Sequence, residues 1–148
     1  MECISVFDML KIGIGPSSSH TLGPWRAAER WINHLKKEAL FNKTTEIKVD
    51  LYGSLSLTGL GHATDIAIIL GLAGADPEYF PTEEINSLVA FIQFSKEIKF
   101  GNEQVITFDP LNDIVFNKDF LPFHPNGIRF KSFNNGIEIS SDTYFSIG

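Results

Sequence analysis

The hydrophobic period of the chain changes at Lys96. Before it, apolar residues recur mostly at three- and four-residue steps; after it, they alternate. A helix-period pattern does not settle as a strand, nor the reverse. A chain that places most of its helices before most of its strands is expected to fold as α+β, not as repeating βαβ units. The expected architecture is a largely antiparallel sheet with helices packed on one face. The 148 residues fit one domain. A domain of that size buries roughly two thirds of its unfolded surface, so it needs no staples. With 43% hydrophobic and 20% charged residues, disorder, collagen and coiled coil are poor readings. No repeat is visible at periods of 20 to 50 residues.

The elements follow from local pattern. Ser5 to Leu10 reads as a short helix with Ser5 as its cap. Pro24 suits a first helical turn. Trp25, Ala28, Ile32, Leu35 and Ala39 then mark one face of an amphipathic helix from Pro24 to about Phe41. Glu46 to Tyr52 alternates, with Ile47, Val49 and Leu51 on one side and Glu46, Lys48 and Asp50 on the other. His62 to Leu72 reads as a helix apolar nearly all round, with Gly71 and Gly74 at its end. Thr82 can cap a third helix bearing Ile85, Leu88, Val89 and Ile92. Beyond it, Gln104–Phe108 and Asp113–Phe116 are short strand candidates. Gly127–Phe133 and Ile137–Ser140 flank Asn134-Asn135-Gly136, and Asn-Gly supplies the positive φ angles of a tight hairpin. His124 to Gly127 reads as another turn and Thr143 to Ile147 as a last strand. Thirteen phenylalanines, many in this half, can fill the interface between helices and sheet.

Charge narrows the partners. Lys and Arg total 12, Asp and Glu 18, for a net charge of −6. No basic patch stands out, so a nucleic-acid partner is not expected. The longest apolar stretch, Ile66 to Ala73, is too short to span a bilayer, so no membrane partner is expected either. The opening Met1-Glu2-Cys3 lacks the basic start and apolar core of a signal peptide and sets no expectation of secretion. One cysteine, Cys3, cannot form an internal disulfide or hold an iron–sulfur cluster, which takes about four thiolates. This usage is compatible with a reducing cytoplasm, the expected location.

Two loops carry the residues suited to chemistry. The first runs from Gly13 to Pro24 and holds Ser17, Ser18, Ser19, His20 and Thr21 directly before a helix start. Unpaired N–H groups and the positive end of the dipole favour an anion there, and the hydroxyls add donors. That suits a carboxylate or a phosphate. The loop lacks the lysine and spacing of a P-loop, and no third glycine completes a dinucleotide fingerprint. The same residues equally suit a Ser-rich capping loop. The second loop, Gly53 to Gly61, delivers His62 to another helix start, with Thr64 and Asp65 in the first turn. A histidine near a helix N-terminus is held neutral and suits a general base. Asp65 either orients that ring or simply favours the dipole; His62 alternatively only caps its helix. Of the remaining histidines, His34 is expected on the polar side of its helix and His124 in a turn. None belongs to a His-Glu-x-x-His pattern, so no complete metal site is expected on this chain. Lys36 and Lys37 read as a solvated helix face.

Together the two loops carry a resemblance. SVFDMLKIGIGPSSSHTLGPWRAA closely resembles the start of the iron–sulfur-dependent L-serine dehydratases (L-serine ammonia-lyases). GSLSLTGLGHATDIAIILGLAG resembles that family's Gly-His-Ala-Thr-Asp segment, and HPNGIRF and TYFSIG are similar to later segments. Trp25 stands where many relatives have Met. The likeness runs in order along the whole chain. It implies that residues 1–148 form the β domain of the single-chain kind. A second, helical α domain whose cysteines hold a 4Fe-4S cluster would lie outside this chain. It implies no regulatory ACT extension of the kind two-chain relatives carry. The resemblance also implies an α+β fold similar to a substrate-binding regulatory domain of some 3-phosphoglycerate dehydrogenases. It implies dehydration of L-serine to aminoacrylate, which becomes pyruvate and ammonia. In this reading His62 is the base and His20 stands with it as a catalytic candidate. Ser17, Ser18, Ser19, His20 and Thr21 hold and orient the carboxylate, and Thr64 and Asp65 support the site. The implied partners are L-serine, the α domain and a second copy in a homodimer. A regulatory serine-binding module or an interface module is the alternative use of the same loops.

Overall fold

The computed structural model describes residues 22–53, 55, 63–117 and 126–145. The expected helix at Ser5–Leu10 and most of both glycine-rich loops lie outside the described residues, as do His124 and Pro125 of the expected turn.

Helix α1 spans Leu22–Lys37, beginning two residues before Pro24 and stopping well short of Phe41. Its buried face is wider than a single stripe: Trp25, Ala28, Ile32 and Leu35 are joined by Ala27 and Trp31. The helix ends because Ala39 turns left-handed at φ 58° and Leu40 N–H closes back on the Leu35 carbonyl at 2.8 Å. A short 3-10 turn, Phe41–Lys43, leads into strand β1, Glu46–Gly53, whose Ile47, Val49 and Leu51 are fully buried, as the alternation requires. Helix α2, Ala63–Leu72, is buried nearly throughout, in keeping with its all-round apolar character. Gly74 ends it at φ +79°, with Gly74 N–H on the Gly71 carbonyl and Ala75 N–H on the Leu70 carbonyl, both at 3.1 Å. This is the two-bond stop that glycine favours. Gly71 gives the stop only its carbonyl; it sits within the helix, where it allows close contact with α1.

Thr82 does not cap the next helix. Thr82–Glu84 form a 3-10 turn preceded by Pro81, and helix α3 begins at Ile85 and runs to Ser95. Strands β2, Glu97–Phe100, and β3, Gln104–Thr107, form a hairpin, and the four-residue helix α4, Pro110–Asp113, leads into β4, Ile114–Phe116. Strands β5, Asn126–Asn134, and β6, Ile137–Phe145, meet at Asn135-Gly136, both at positive φ, as Asn-Gly demands. Asn126 and Gly127 open β5 rather than forming a turn, and Thr143 continues β6 rather than starting a new strand.

The sheet order is β2-β3-β1-β5-β6. β5 pairs antiparallel along the full length of β1, and β5–β6 and β2–β3 are antiparallel as well. The other edge of β1 is shared by two parallel neighbours, β3 at Glu46 and β4 at Val49 to Leu51. The sheet is thus mostly antiparallel and the fold α+β. Helices cover one face. Trp31 is the central rivet: its ring stacks on Phe130 at 4.9 Å and 16°, and its Nε1–H donates to Asp142 Oδ2 at 3.1 Å. His34 is not merely exposed, because its Nε2 lies 3.5 Å from Asp142 Oδ1, tying α1 to β6. Lys36 likewise pairs with Glu103 and lies over the Phe41 ring, so it is more than a solvated face.

Candidate functional site

The two helices that follow the glycine-rich loops run side by side in the same direction. Gly71 of α2 lies against Trp25 and Ala28 of α1. Three residues on, Gly74 lies against Gly101, which lies against Ile32. Moving down α2 therefore moves down α1 as well. Strand β1 connects them by returning upward, so both helix N-termini share the end at which β1 finishes. The positive ends of two helix dipoles consequently face the same way.

Cross-strand register brings further chain to that end. Gly53, the last residue of β1, pairs with Asn126, the first of β5. Gly127 pairs with Phe145, the last residue of β6. Leu51 pairs with Phe116 of β4, and Asn117 donates to the Leu51 carbonyl from its backbone N–H at 2.8 Å and from Nδ2 at 3.3 Å. The described residues next to segments 1–21, 56–62, 118–125 and 146–148 therefore all lie at one end of the molecule.

Of the candidate site residues, Thr64 and Asp65 are described. Both sit in the first turn of α2, 0% and 1% exposed. A carboxylate is costly to remove from water, and the amide dipoles of a first helical turn offset part of that cost. Asp65 also stands three residues after His62, the spacing that places two side chains on one helical face. Ser17, Ser18, Ser19, His20, Thr21 and His62 lie outside the described residues, so their mutual geometry is not part of the structure.

One charged group at this end escapes notice in the sequence. Arg129 donates from Nη1 to the Tyr52 hydroxyl at 3.3 Å and from Nε to Thr143 Oγ1 at 3.1 Å, with its guanidinium 5.4 Å from the Tyr52 ring centre. These three residues occupy the face of the sheet opposite the described helices. They are far apart in sequence, so only strand register reveals them. On the covered face, Tyr144 packs edge-on to Phe130 at 5.9 Å. Burial first, and then the Asp142 carboxylate, push its phenol above the ordinary value of 10.

The described residues contain no group of His, Cys, Asp and Glu that could hold a metal ion. Among them no helix is long and apolar enough to cross a membrane.

Comparison with known proteins places this architecture. The family model described as serine dehydratase beta chain matches residues 5–148. The chain is 44% identical over 146 residues to L-serine dehydratase TdcG of Escherichia coli, covering 98% of this chain and 32% of that protein. It is 41% identical over 147 residues to L-serine dehydratase of Streptomyces coelicolor, with the same two coverages. With L-serine dehydratase of Helicobacter pylori it shares 35% identity over 149 residues, again 32% of the relative. The chain spans about a third of the length of these curated relatives. A match over nearly the whole chain, through both loop-and-helix segments, shows that it belongs to the serine dehydratase beta chain family.

Proposed function

We propose that the chain is the β domain of an L-serine ammonia-lyase and supplies one wall of its active site. The observation that carries this is the family match over residues 5–148, in a fold that turns two helix N-termini toward one end. Dehydration removes the Cα proton and the β-hydroxyl of L-serine as water. The aminoacrylate left behind takes up water to give pyruvate and ammonia.

The Cα proton is weakly acidic, and its loss puts negative charge onto the carboxylate. His62 takes that proton. A neutral imidazole is needed for this, and a position just before a helix start keeps it neutral. Ser17, Ser18, Ser19, His20 and Thr21 hold the carboxylate, and their donors are worth more as charge develops on it. Thr64 and Asp65, buried in the first turn of α2, hold the His62 segment in place.

The family's 4Fe-4S cluster does not fit this chain. Its ligands are about four thiolates, and the sequence has one cysteine, Cys3. No step is therefore assigned to it on these residues; the cluster belongs with an α domain in the remaining two thirds of the enzyme. On this reading the chain alone does not turn over serine.

In the whole enzyme, His62→Ala is expected to lower kcat by about 1,000-fold or more, the upper range of positioned acid–base catalysis, and to leave the cluster absorbance unchanged. Steady-state kinetics and a visible spectrum of the same sample check this. A fall of less than about tenfold would assign the proton to another group.

A further inference from the structure

The end of α2 remote from the loops borders an apolar groove of about 840 Å3 between α3 and the connection 73–81. Phe80 and Leu88 line it and pack against the core. Tyr79 and Phe91 also line it, yet are 74% and 64% exposed, and Phe94, one turn beyond Phe91, is 91% exposed. Helix α3 thus carries two apolar stripes. Ile85, Val89 and Ile92 face the core, Leu88 is half-buried at its edge, and Phe91 and Phe94 form a second stripe that the described residues leave exposed. Isolated exposed apolar residues are ordinary, whereas a contiguous aromatic patch with a polar rim marks a contact surface.

The rim is acidic. Asp76, Glu84 and Glu97 line the groove. Glu84 and Glu97 make no salt bridge among the described residues. Lys99 is the cation among the lining residues, and nearby Lys96 is turned to Asp109 at 4.0 Å. This charge decides between occupants. The carboxylate of a small amino acid would meet unneutralised carboxylates, so the groove is no second serine site. A second copy in two-fold contact would set the same rim against itself, and like charges across an interface are strongly disfavoured. The matching surface is an apolar segment flanked by lysine or arginine.

About two thirds of each relative lies outside the matched region. A body of roughly 300 residues is on the order of 50 Å across. Helix α2, with its 10 residues, is about 15 Å long. One body seated on the loop-bearing end can therefore reach the groove as well. We propose that the groove lined by Tyr79, Phe91 and the carboxylates of Glu84 and Glu97, with exposed Phe94 one turn beyond it on α3, is where the remainder of the enzyme grips this domain, through an apolar segment flanked by basic residues. This rests on the chain being one domain of a larger L-serine dehydratase.

The test uses the whole enzyme with p-benzoylphenylalanine in place of Phe91 and, in a second preparation, of Phe94. Both positions are exposed, so folding is not at stake. Illumination joins the side chain to whatever lies against it, and mass spectrometry of a digest identifies the joined peptide. The expected product is a bridge to a peptide outside residues 1–148 that carries Lys or Arg beside its apolar residues. Its yield is expected to fall several-fold when Glu84→Lys and Glu97→Lys are added. A bridge to residues 1–148 of a second copy overturns the proposal, and so does the absence of any bridge. A yield indifferent to the charge reversals overturns the basic character of the partner. Serine turnover by the unmodified enzyme is read separately. Activity without a bridge sinks the groove alone, and a bridge without activity sinks the assigned reaction alone.

Discussion

Ala39 holds a backbone conformation that suits a glycine. It is exposed, its φ is 58°, and the left-handed turn it makes is needed for the Leu40-to-Leu35 hydrogen bond that stops α1. An L-residue with a Cβ is strained there, and nothing packs on the methyl to offset it. Ala39→Gly is therefore expected to stabilise the fold by about 0.5–1 kcal/mol, read as a shift in the denaturant midpoint with an unchanged slope. The three- and four-residue spacing put Ala39 on the apolar stripe and left Trp31 off it. A stripe assumes one buried face, whereas α1 is pressed by the sheet on one side and α2 on another. Asp113 gives a pH test. It is 7% exposed, and burial raises its carboxyl above 3.8 despite the hydrogen bond that its Oδ2 accepts from Asp109 N–H at 2.8 Å; Glu46 adds to the rise. The folded state thus holds this proton more tightly than the unfolded chain. The cost of ionising it is absent below the unfolded value and fully present once pH has passed the folded one. Asp113→Asn keeps an acceptor for Asp109 N–H and removes that cost. The melting temperature of the variant relative to the native chain should be higher at pH 7 than at pH 3; an equal difference at both would refute the assignment.

At the scale of elements, the contact between α1 and α2 depends on a missing side chain. A Cβ at Gly71 would meet Ala28 Cβ and the Trp25 carbonyl oxygen, each at 2.8 Å. Neither neighbour is the tip of a flexible side chain. Gly71→Ala gains helix propensity of somewhat under 1 kcal/mol but forces the helices apart, and overpacking of this kind costs about 1–3 kcal/mol. Net destabilisation is expected, measurable by thermal unfolding; a stabilised variant would mean the helices can separate freely. The sequence named Gly71 and Gly74 as a pair at the helix end, and packing separates their roles. Alternation in β1 and the Asn-Gly hairpin were readable because each element's pattern reports its own burial or its own turn. Strand β2 was not, although Glu97 to Phe100 alternates, because the left-handed stop at Lys96 that parts it from α3 is not marked by a glycine, and neither was α4, which depends on Asp109 accepting from Leu111 N–H at 3.2 Å. The register shift between Ser132 and Phe133 has no local sequence signal either.

For the whole molecule, pairing partners matter more than patterns. Nothing in the period of β1 says that β3 and β4 flank it in parallel, because parallel neighbours are chosen by tertiary packing. The candidate site shows the same division. Each loop could be read from its glycines, hydroxyls and histidine, but that the helices after them both start at one end follows from β1 returning between two parallel helices and from Gly53 pairing with Asn126. That geometry bears on what the chain does alone. A small-molecule site encloses most of its ligand, commonly 70–90% of the ligand surface. On the proposed reading, one end of this domain would offer donors from one side and leave the other side of a bound serine in water. Water competes for every hydrogen bond on that open side, so the net gain per bond stays small. Calorimetric titration of the isolated chain with L-serine is expected to show no saturable binding up to about 1 mM, a free energy of about −4 kcal/mol. The same titration in the presence of the remaining two thirds of the enzyme is expected to give a defined site. Micromolar binding by the isolated chain would instead mark a self-contained serine sensor, because only an enclosed pocket holds so small a ligand that tightly.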